Sequence, residues 1–302
     1  MTEKIYGMLT ASAPQEGGEF NIKEMILHHL ADSNEWEAPP PIGVVHLPQF
    51  EPVHIGPISI DFSITKHVLF MMFAAVLVLI VMFWTAWKAK RSRAEGAERG
   101  PKGAANVVEA IILFIRDEVA LRNIGHGGEK FVPYIVTVFF FILFCNMLGL
   151  LPWGASPTGN ISVTAALAFL TLMIVEITGM RTLGAKGYAK TIFVVPPGLN
   201  PFMKGIMLLI MPPVELLSKL TKPFALTIRL YANMTAGHAV VLALTGLAVM
   251  ASLAGAKFIT IAIAPVLMAT AIMILEIFVA LLQAYIFAML SAVFIGLIRH
   301  AH

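Results

Sequence analysis

Apolar residues in this chain fall into five long unbroken blocks separated by polar segments, not into the short periodic runs of a soluble fold. The first block, VLFMMFAAVLVLIVMFWTAW at 68–87, spans the ~30 Å hydrocarbon core of a bilayer as a helix rising ~1.5 Å per residue, with Trp84 and Trp87 as interfacial anchors. Residues 131–151 and 161–180 read as two further spans, joined by the turn Pro152-Trp153-Gly154-Ala155-Ser156-Pro157. Apolar tracts at 204–254 and 258–299 complete the pattern. The first 65 residues are polar, and Thr2, Glu3 and Lys4 are not followed by the apolar run of a signal peptide. Within them FNIKEMILHHLA, 20–31, predicts a short amphipathic helix, and Pro39-Pro40-Pro41 bars any helix beyond it. Residues 104–122 predict an amphipathic helix lying on the membrane surface, with Val107, Val108, Ile111, Ile112 and Ile115 on one side.

The last two tracts are too long for ordinary spans. As helices they would measure roughly 76 Å and 63 Å, against about 40–45 Å for a bilayer with its headgroups. Pro212-Pro213, Pro223 and Pro265 permit bends without dividing the tracts, and an ordinary tilt of about 20° does not absorb the excess. The expectation is two long, steeply inclined helices forming a hairpin that turns near Gly255-Ala256-Lys257.

Composition agrees with this pattern. Hydrophobic types make up 58% of the 302 residues and charged types 13%, and mean hydropathy is +0.82. A soluble fold of this size could not hide so much apolar surface, which excludes a cytosolic enzyme. The fold class is an all-α polytopic membrane protein with one N-terminal span, a surface helix, a two-span hairpin and a long tilted two-helix hairpin. A net charge of +3 is too weak and too localised to suggest nucleic acid. Cys145 stands alone inside an apolar run, which excludes a disulfide framework and a cysteine metal site. No cofactor or metal is expected, and no Gly-rich phosphate loop is present in the sequence.

Basic residues set the expected orientation. Residues 88–102 carry six basic and two acidic side chains, and short basic loops stay cytoplasmic. Arg181, Lys186 and Lys190 return the chain to that side, and Arg299, His300 and His302 end it there. The N-terminus is then outside. The chain divides into an extracytoplasmic segment (1–65), a first transmembrane helix (66–88), a cytoplasmic basic loop with surface helix (89–129), a transmembrane hairpin and loop (130–203) and the tilted hairpin (204–302). No internal repeat is visible.

Polar groups inside membrane helices are costly, so they are the functional candidates. Arg229 stands in FALTIRLYANMTAGHAVVLAL, where insertion of an Arg costs about 2.5–3.5 kcal/mol. Its guanidinium keeps its proton, so it supplies a fixed charge and not a proton relay. Positions one turn away are Ala225, Leu226, Ala232 and Asn233, so its own helix offers no counterion. The ordinary alternative is an Arg that snorkels to an interface. On a straight helix Glu215, Lys219, Lys222, Arg229 and Asn233 share a stripe roughly 80° wide, while His238 falls off it. Glu276 and Gln283, seven apart, share one face of the second helix.

In an antiparallel hairpin, facing residues have numbers of constant sum. Arg229 with Gln283, His238 with Glu276, and Glu215 with Arg299 all sum to 512–514, centred on the proposed turn. Glu215 lies roughly 21 Å before Arg229 and His238 roughly 13 Å after it. Two titratable regions thus flank one permanent cation, which suits two half-channels separated by an electrostatic block to protons. The plainer alternative for His238 and Glu276 is a structural buried pair.

The stretches ELLSKLTKPFALTIRLYANMTAGH (215–238) and LEIFVALLQAYIFAML (275–290) resemble subunit a of the rotary F-type ATP synthases. Weaker similarity covers MILHHL, NMLGLLP at 146–152 and NISVTAALA at 160–168. The resemblance implies a non-catalytic stator subunit that makes no bond to ATP and carries the proton path of the membrane sector. Its partners would be the c-ring, b-type peripheral stalk subunits, membrane lipid and the transported protons, in a bacterial plasma (inner) membrane. It implies that Arg229 is the essential arginine facing the ring carboxylates, which supplies the missing counterion. Gln283 looks like the glutamine beside it, Asn233 like its polar neighbour, His238 and Glu276 like the proton-uptake pair, and Glu215 like the exit-side acid. The pair has the order of mitochondrial relatives, reversed in some bacterial ones. The sequence departs from the pattern at Thr158-Gly159-Asn160, which lacks an acid that some relatives have, and at Gly149, where some have Asp. The alternative from another class is an ion-coupled secondary transporter, whose usual repeated halves are missing here; a plain membrane anchor is a further one.

Overall fold

The computed structural model describes residues 21–39, 42–56, 58–61, 63–94, 103–151, 153–193, 200–253 and 259–300. Five helices in it are long and apolar enough to cross a membrane. Ahead of them comes α1 (Ile22–Leu30), started by Asn21, whose side chain accepts the Lys23 N–H at 3.1 Å. The spans are α2 (Lys66–Ala94), α4 (Val132–Gly149), α5 (Ile161–Ile192), α6 (Pro201–Leu253) and α7 (Ile259–Arg299), with α3 (Ala104–Phe114) between the first two. The fold is therefore all-α and polytopic, with one addition that the sequence reading missed. Two short antiparallel hairpins follow α1: β1 (Glu35–Ala38) with β2 (Gly43–His46), and β3 (Val53–Ile55) with β4 (Ile58–Ile60).

The long tracts form continuous helices despite their prolines. Pro212, Pro213 and Pro223 lie inside α6 and Pro265 inside α7. Each proline removes one backbone donor, which a membrane helix tolerates when neighbouring groups take up the freed acceptors. Helix α5 kinks at Gly184, whose φ of 68° is open to glycine at little cost. The apolar span thus ends there, just after Arg181. The turn expected at Gly255-Ala256-Lys257 and much of the basic loop, 95–102, lie outside the described residues.

Two compact units are distinguished along the chain. The first draws on residues 1–74, 145–160 and 231–281, and the second on 75–144, 161–230 and 282–302. In the first, Trp36 of β1 donates to the Trp153 carbonyl at 2.9 Å and packs edge-on against Phe70 and Phe73 of α2. In the second, Ile115, Val119 and Ile124 pack with Ile135, Phe139 and Ile142 of α4, Leu226 and Leu230 of α6, and Phe287 and Ile295 of α7.

That core takes up most of the apolar side expected for α3: Val108, Ile111 and Ile112 pack against it and Ile115 is fully buried. After Phe114 the chain winds into a π-helical stretch, Ile115–Leu121. The wider turn brings Ile115, Val119, Ala120 and Ile124 into full burial, while Val107, expected on the apolar side, is 60% exposed. The buried face is set by the changed helical period, so a constant 100° rotation misplaces it. Gly296 completes this contact: a Cβ there would run into the Asn123 carbonyl.

Candidate functional site

Helix α6 presents two contrasting faces near Arg229. Leu226, Leu230 and Met234 are buried, while Ala225, Arg229, Ala232, Asn233 and Ala236 are exposed. Between Ala225 and Ala236 the exposed face is small-sided except for one cation, one amide and Ile228 at its edge. Arg229 makes no ion pair among the described residues, consistent with a helix that carries no counterion. On α7 Gln283 is buried, and its amide donates to the Arg229 backbone carbonyl at 3.2 Å. Gln283 therefore holds the helix beneath Arg229 and leaves the guanidinium uncovered.

The second unit also holds a cavity of about 680 Å³. Glu215, Lys219 and Lys222 line it from α6, and Glu176 and Lys190 from α5, against apolar walls that include Leu226 and Phe294. Lys219 lies 3.4 Å from Glu176 and donates to the Tyr188 hydroxyl at 2.8 Å. Lys222 sits over the Phe294 ring. The stripe expected from Glu215 through Lys222 is thus brought together on one cavity wall. The expected Glu215–Arg299 pair is not formed among the described residues. Arg299 instead donates to the His126 carbonyl at 2.6 Å and lies over Phe131. Gly127, at φ 74°, admits that guanidinium where a Cβ would press on it.

In the first unit His238 and Glu276 meet as the register requires, Nδ1 to Oε1 at 3.4 Å. Gly237 makes this approach possible, because a Cβ there would overlap the Glu276 carboxylate. His238 Nδ1 also faces the Met234 carbonyl at 3.1 Å, and Nε2 faces the Gly149 carbonyl. A neutral imidazole can donate to only one side; the doubly protonated ring satisfies both. Glu276 is 6% exposed, and its Oε1 is buried without a hydrogen-bond donor, as is Thr235 Oγ1. Asn146 of α4 lies in the same unit, donating to the Ala280 carbonyl at 3.3 Å and accepting from Thr158, whose hydroxyl in turn meets Ser156.

Several of these groups were missed in the sequence. Glu176 stands in TLMIVEITGM, and an acid inside an apolar span is itself a signal. Asp32 and His67 give no such signal: they are 35 residues apart in polar or boundary sequence, and only folding joins them, at 2.9 Å.

Residues 68–296 match the family model described as ATP synthase A chain. The ATP synthase subunit a of Chloroherpeton thalassium is 44% identical over 273 residues, 90% of this chain and 75% of that protein. The subunit a of Myxococcus xanthus is 46% identical over 240 residues, 79% of this chain and 73% of its own length.

Proposed function

We propose a function from the premise that this chain belongs to the ATP synthase A chain family. It is a non-catalytic stator subunit of the membrane sector of an ATP synthase, with a proton-channel role. Its partners are the c-ring and the rest of that complex, b-type stalk subunits among them. The orientation that fits the basic segments has the N-terminus outside a bacterial plasma membrane and the C-terminus in the cytoplasm.

In this reading protons are taken up through an outer half-channel at His238 and Glu276, load a ring carboxylate, travel with the ring, and leave through an inner half-channel at Glu215. Arg229 separates the two. It attracts the ionised ring carboxylate where they meet, so the carboxylate releases its proton there and cannot carry it straight back. The cavity lined by Glu215 is the water-accessible end of the exit path. Asn233 keeps a polar contact one turn from Arg229, and Gln283 fixes the backbone that carries it. The division into an outer segment (1–65), a cytoplasmic loop (89–129) and a tilted hairpin (204–302) belongs to the same reading. The tilt follows from helix length: 53 residues in α6 measure roughly 80 Å, far more than a bilayer.

One observation carries this reading above the others. Arg229 is an exposed cation with no ion pair among the described residues, and its neighbours on that face of α6 are alanines and one asparagine, with Ile228 at the edge. Lipid is a poor partner for that face, and a close-packed ring helix bearing a carboxylate is a good one. A plain anchor has no use for it. The test is disulfide crosslinking between cysteines at 225, 232 or 236 and cysteines on the ring-subunit helix that bears the carboxylate, in assembled enzyme. Crosslinks to the ring subunit are expected, and their absence while crosslinks within this chain form readily would sink the reading.

A further inference from the structure

The loop Thr158-Gly159-Asn160 lacks a carboxylate of its own, yet a carboxylate sits against it. Asn160 Nδ2 donates to Asp32 Oδ2 at 3.1 Å. The other oxygen of Asp32 lies 2.9 Å from His67 Nδ1. The Asp32 side chain is 30% exposed and that of His67 only 6%, so the pair runs from water to a buried imidazole. Asp32 comes from the segment after α1, and His67 from the first turn of α2. Lys66, beside His67, donates to the carbonyls of His28 and His29 at 3.4 and 3.0 Å.

His29 of α1 is a further titratable group of this segment. It is largely buried, and its Nδ1 has no hydrogen-bond partner. Burial holds its pKa below the ordinary histidine value against the pull of Glu37, and Lys66, His28 and His238 lower it further. His29 is therefore neutral at neutral pH, with one nitrogen available to take a proton, and within electrostatic reach of the uptake histidine. Asp32 behaves oppositely. Burial raises its pKa, but the hydrogen bond and charge of His67, with a further bond from Thr65, outweigh this and hold it below the usual carboxylate value. It stays an anion through the physiological range. Among the described residues no three His, Cys, Asp or Glu side chains converge on one metal position.

We infer that Asp32, oriented by His67 and Asn160, is the proton-collecting carboxylate of the uptake path, which continues past Gly159 and the buried Thr235 hydroxyl to His238 and Glu276. The N-terminal segment supplies the acid that the loop lacks. Each transfer moves one proton from water to the carboxylate and on toward His238, leaving Asp32 an anion again. The charged and titratable groups facing this position are His67 and Lys66 from α2, and His28 and His29 from α1. Glu37 of β1 and His238 of α6 complete them. This inference rests on the stator reading, and the experiment separates the two.

Vesicles holding the whole membrane sector, with the catalytic sector stripped off, are used to measure proton conductance per assembled complex as the outer pH is varied. The unaltered protein must conduct, with conduction blocked by modification of the ring carboxylate; if it does not, the stator reading and this inference fall together. With conduction present, Asp32→Asn is expected to slow it about tenfold at an outer pH of about 8, where protons are scarce and a focusing carboxylate matters most. The loss should shrink to about twofold or less at an outer pH of about 5.5, where delivery no longer limits. Asp32→Glu should recover most of it. A purely structural Asp32 would lower the yield of assembled complex and leave the pH profile per complex unchanged. That profile, or a loss independent of outer pH, would overturn the inference. If Asp32→Asn does not assemble, Asp32→Ser and Asn160→Ala decide: an unshifted profile per complex in both overturns it.

Discussion

The polar groups around His238 and those around Glu215 are handled in different ways. At His238 the ionisable atoms are nearly dry. Glu276 is 6% exposed, its carboxylate is brought in through the gap left by Gly237, and each imidazole nitrogen faces a fixed carbonyl. At Glu215 the ionisable groups line a cavity of about 680 Å³, and three lysines share it with two acids. A dry pair depends on the exact identity of both partners, because a charge left alone in a low dielectric is costly. Around the cavity several cations and acids share one space, so a neighbour can make up for a lost charge. Arg229 belongs to neither environment: it is exposed, and among the described residues it makes no ion pair.

The largest effect is therefore expected at Arg229. Arg229→Lys keeps the charge but offers a compact, strongly hydrated ion in place of a planar fork. Coupled ATP synthesis in inverted vesicles should fall by about 100-fold or more, a loss worth roughly 2.7 kcal/mol in barrier terms. Gln283→Leu, which removes only the bond to the Arg229 carbonyl, should reduce synthesis without abolishing it. Near-normal synthesis by Arg229→Lys would mean that any positive charge serves.

The next effect tests the dry pair. His238→Ala and Glu276→Ala should each slow proton uptake by about tenfold or more, since each leaves a buried partner unpaired. The exchange His238→Glu with Glu276→His should restore more uptake than either single exchange, measured as respiration-driven pumping with assembly checked separately. A double exchange no better than the worse single one would return at least one of the two residues to a structural role.

The smallest effect is expected in the cavity. Lys219→Gln removes the ion pair with Glu176 but leaves Glu215, Lys190 and Lys222 facing the same space. Synthesis should fall by about two- to threefold at most, since Lys190 and Lys222 still supply positive charge to the same cavity. A loss as large as that of Glu276→Ala would erase the contrast between the two environments and make Lys219 a principal part of the exit path.

Much of this protein is legible in the sequence because the membrane is a strict solvent. Backbone groups without water must bond within a helix, so five apolar blocks become five helices and their lengths follow by counting. The constant residue-number sum correctly joined His238 to Glu276 and Gln283 to the Arg229 segment, because antiparallel helices keep register over several turns. The same rule failed for Glu215 and Arg299. Near a helix end a long flexible side chain chooses among nearby acceptors, and the His126 carbonyl, reached past Gly127, captures Arg299.

What only the tertiary structure decided lies where that solvent's rule is relaxed. The hairpins of residues 35–60 are three to four residues per strand. Strands this short carry too few alternating positions to be read, and the first is held by the anchoring of Trp36 on Phe70, Phe73 and Trp153. The π-helical turn at Ile115–Leu121 changed which face is buried, a choice made by the surrounding core. The meeting of Asp32 with His67 and Asn160 depends on three segments far apart in the chain. The sequence by itself determined the helices and the fixed charge at Arg229, since both follow from local composition in an apolar medium. Which distant polar groups share a buried site was decided only by folding, because hydrogen bonds between remote side chains leave no periodic trace in the chain.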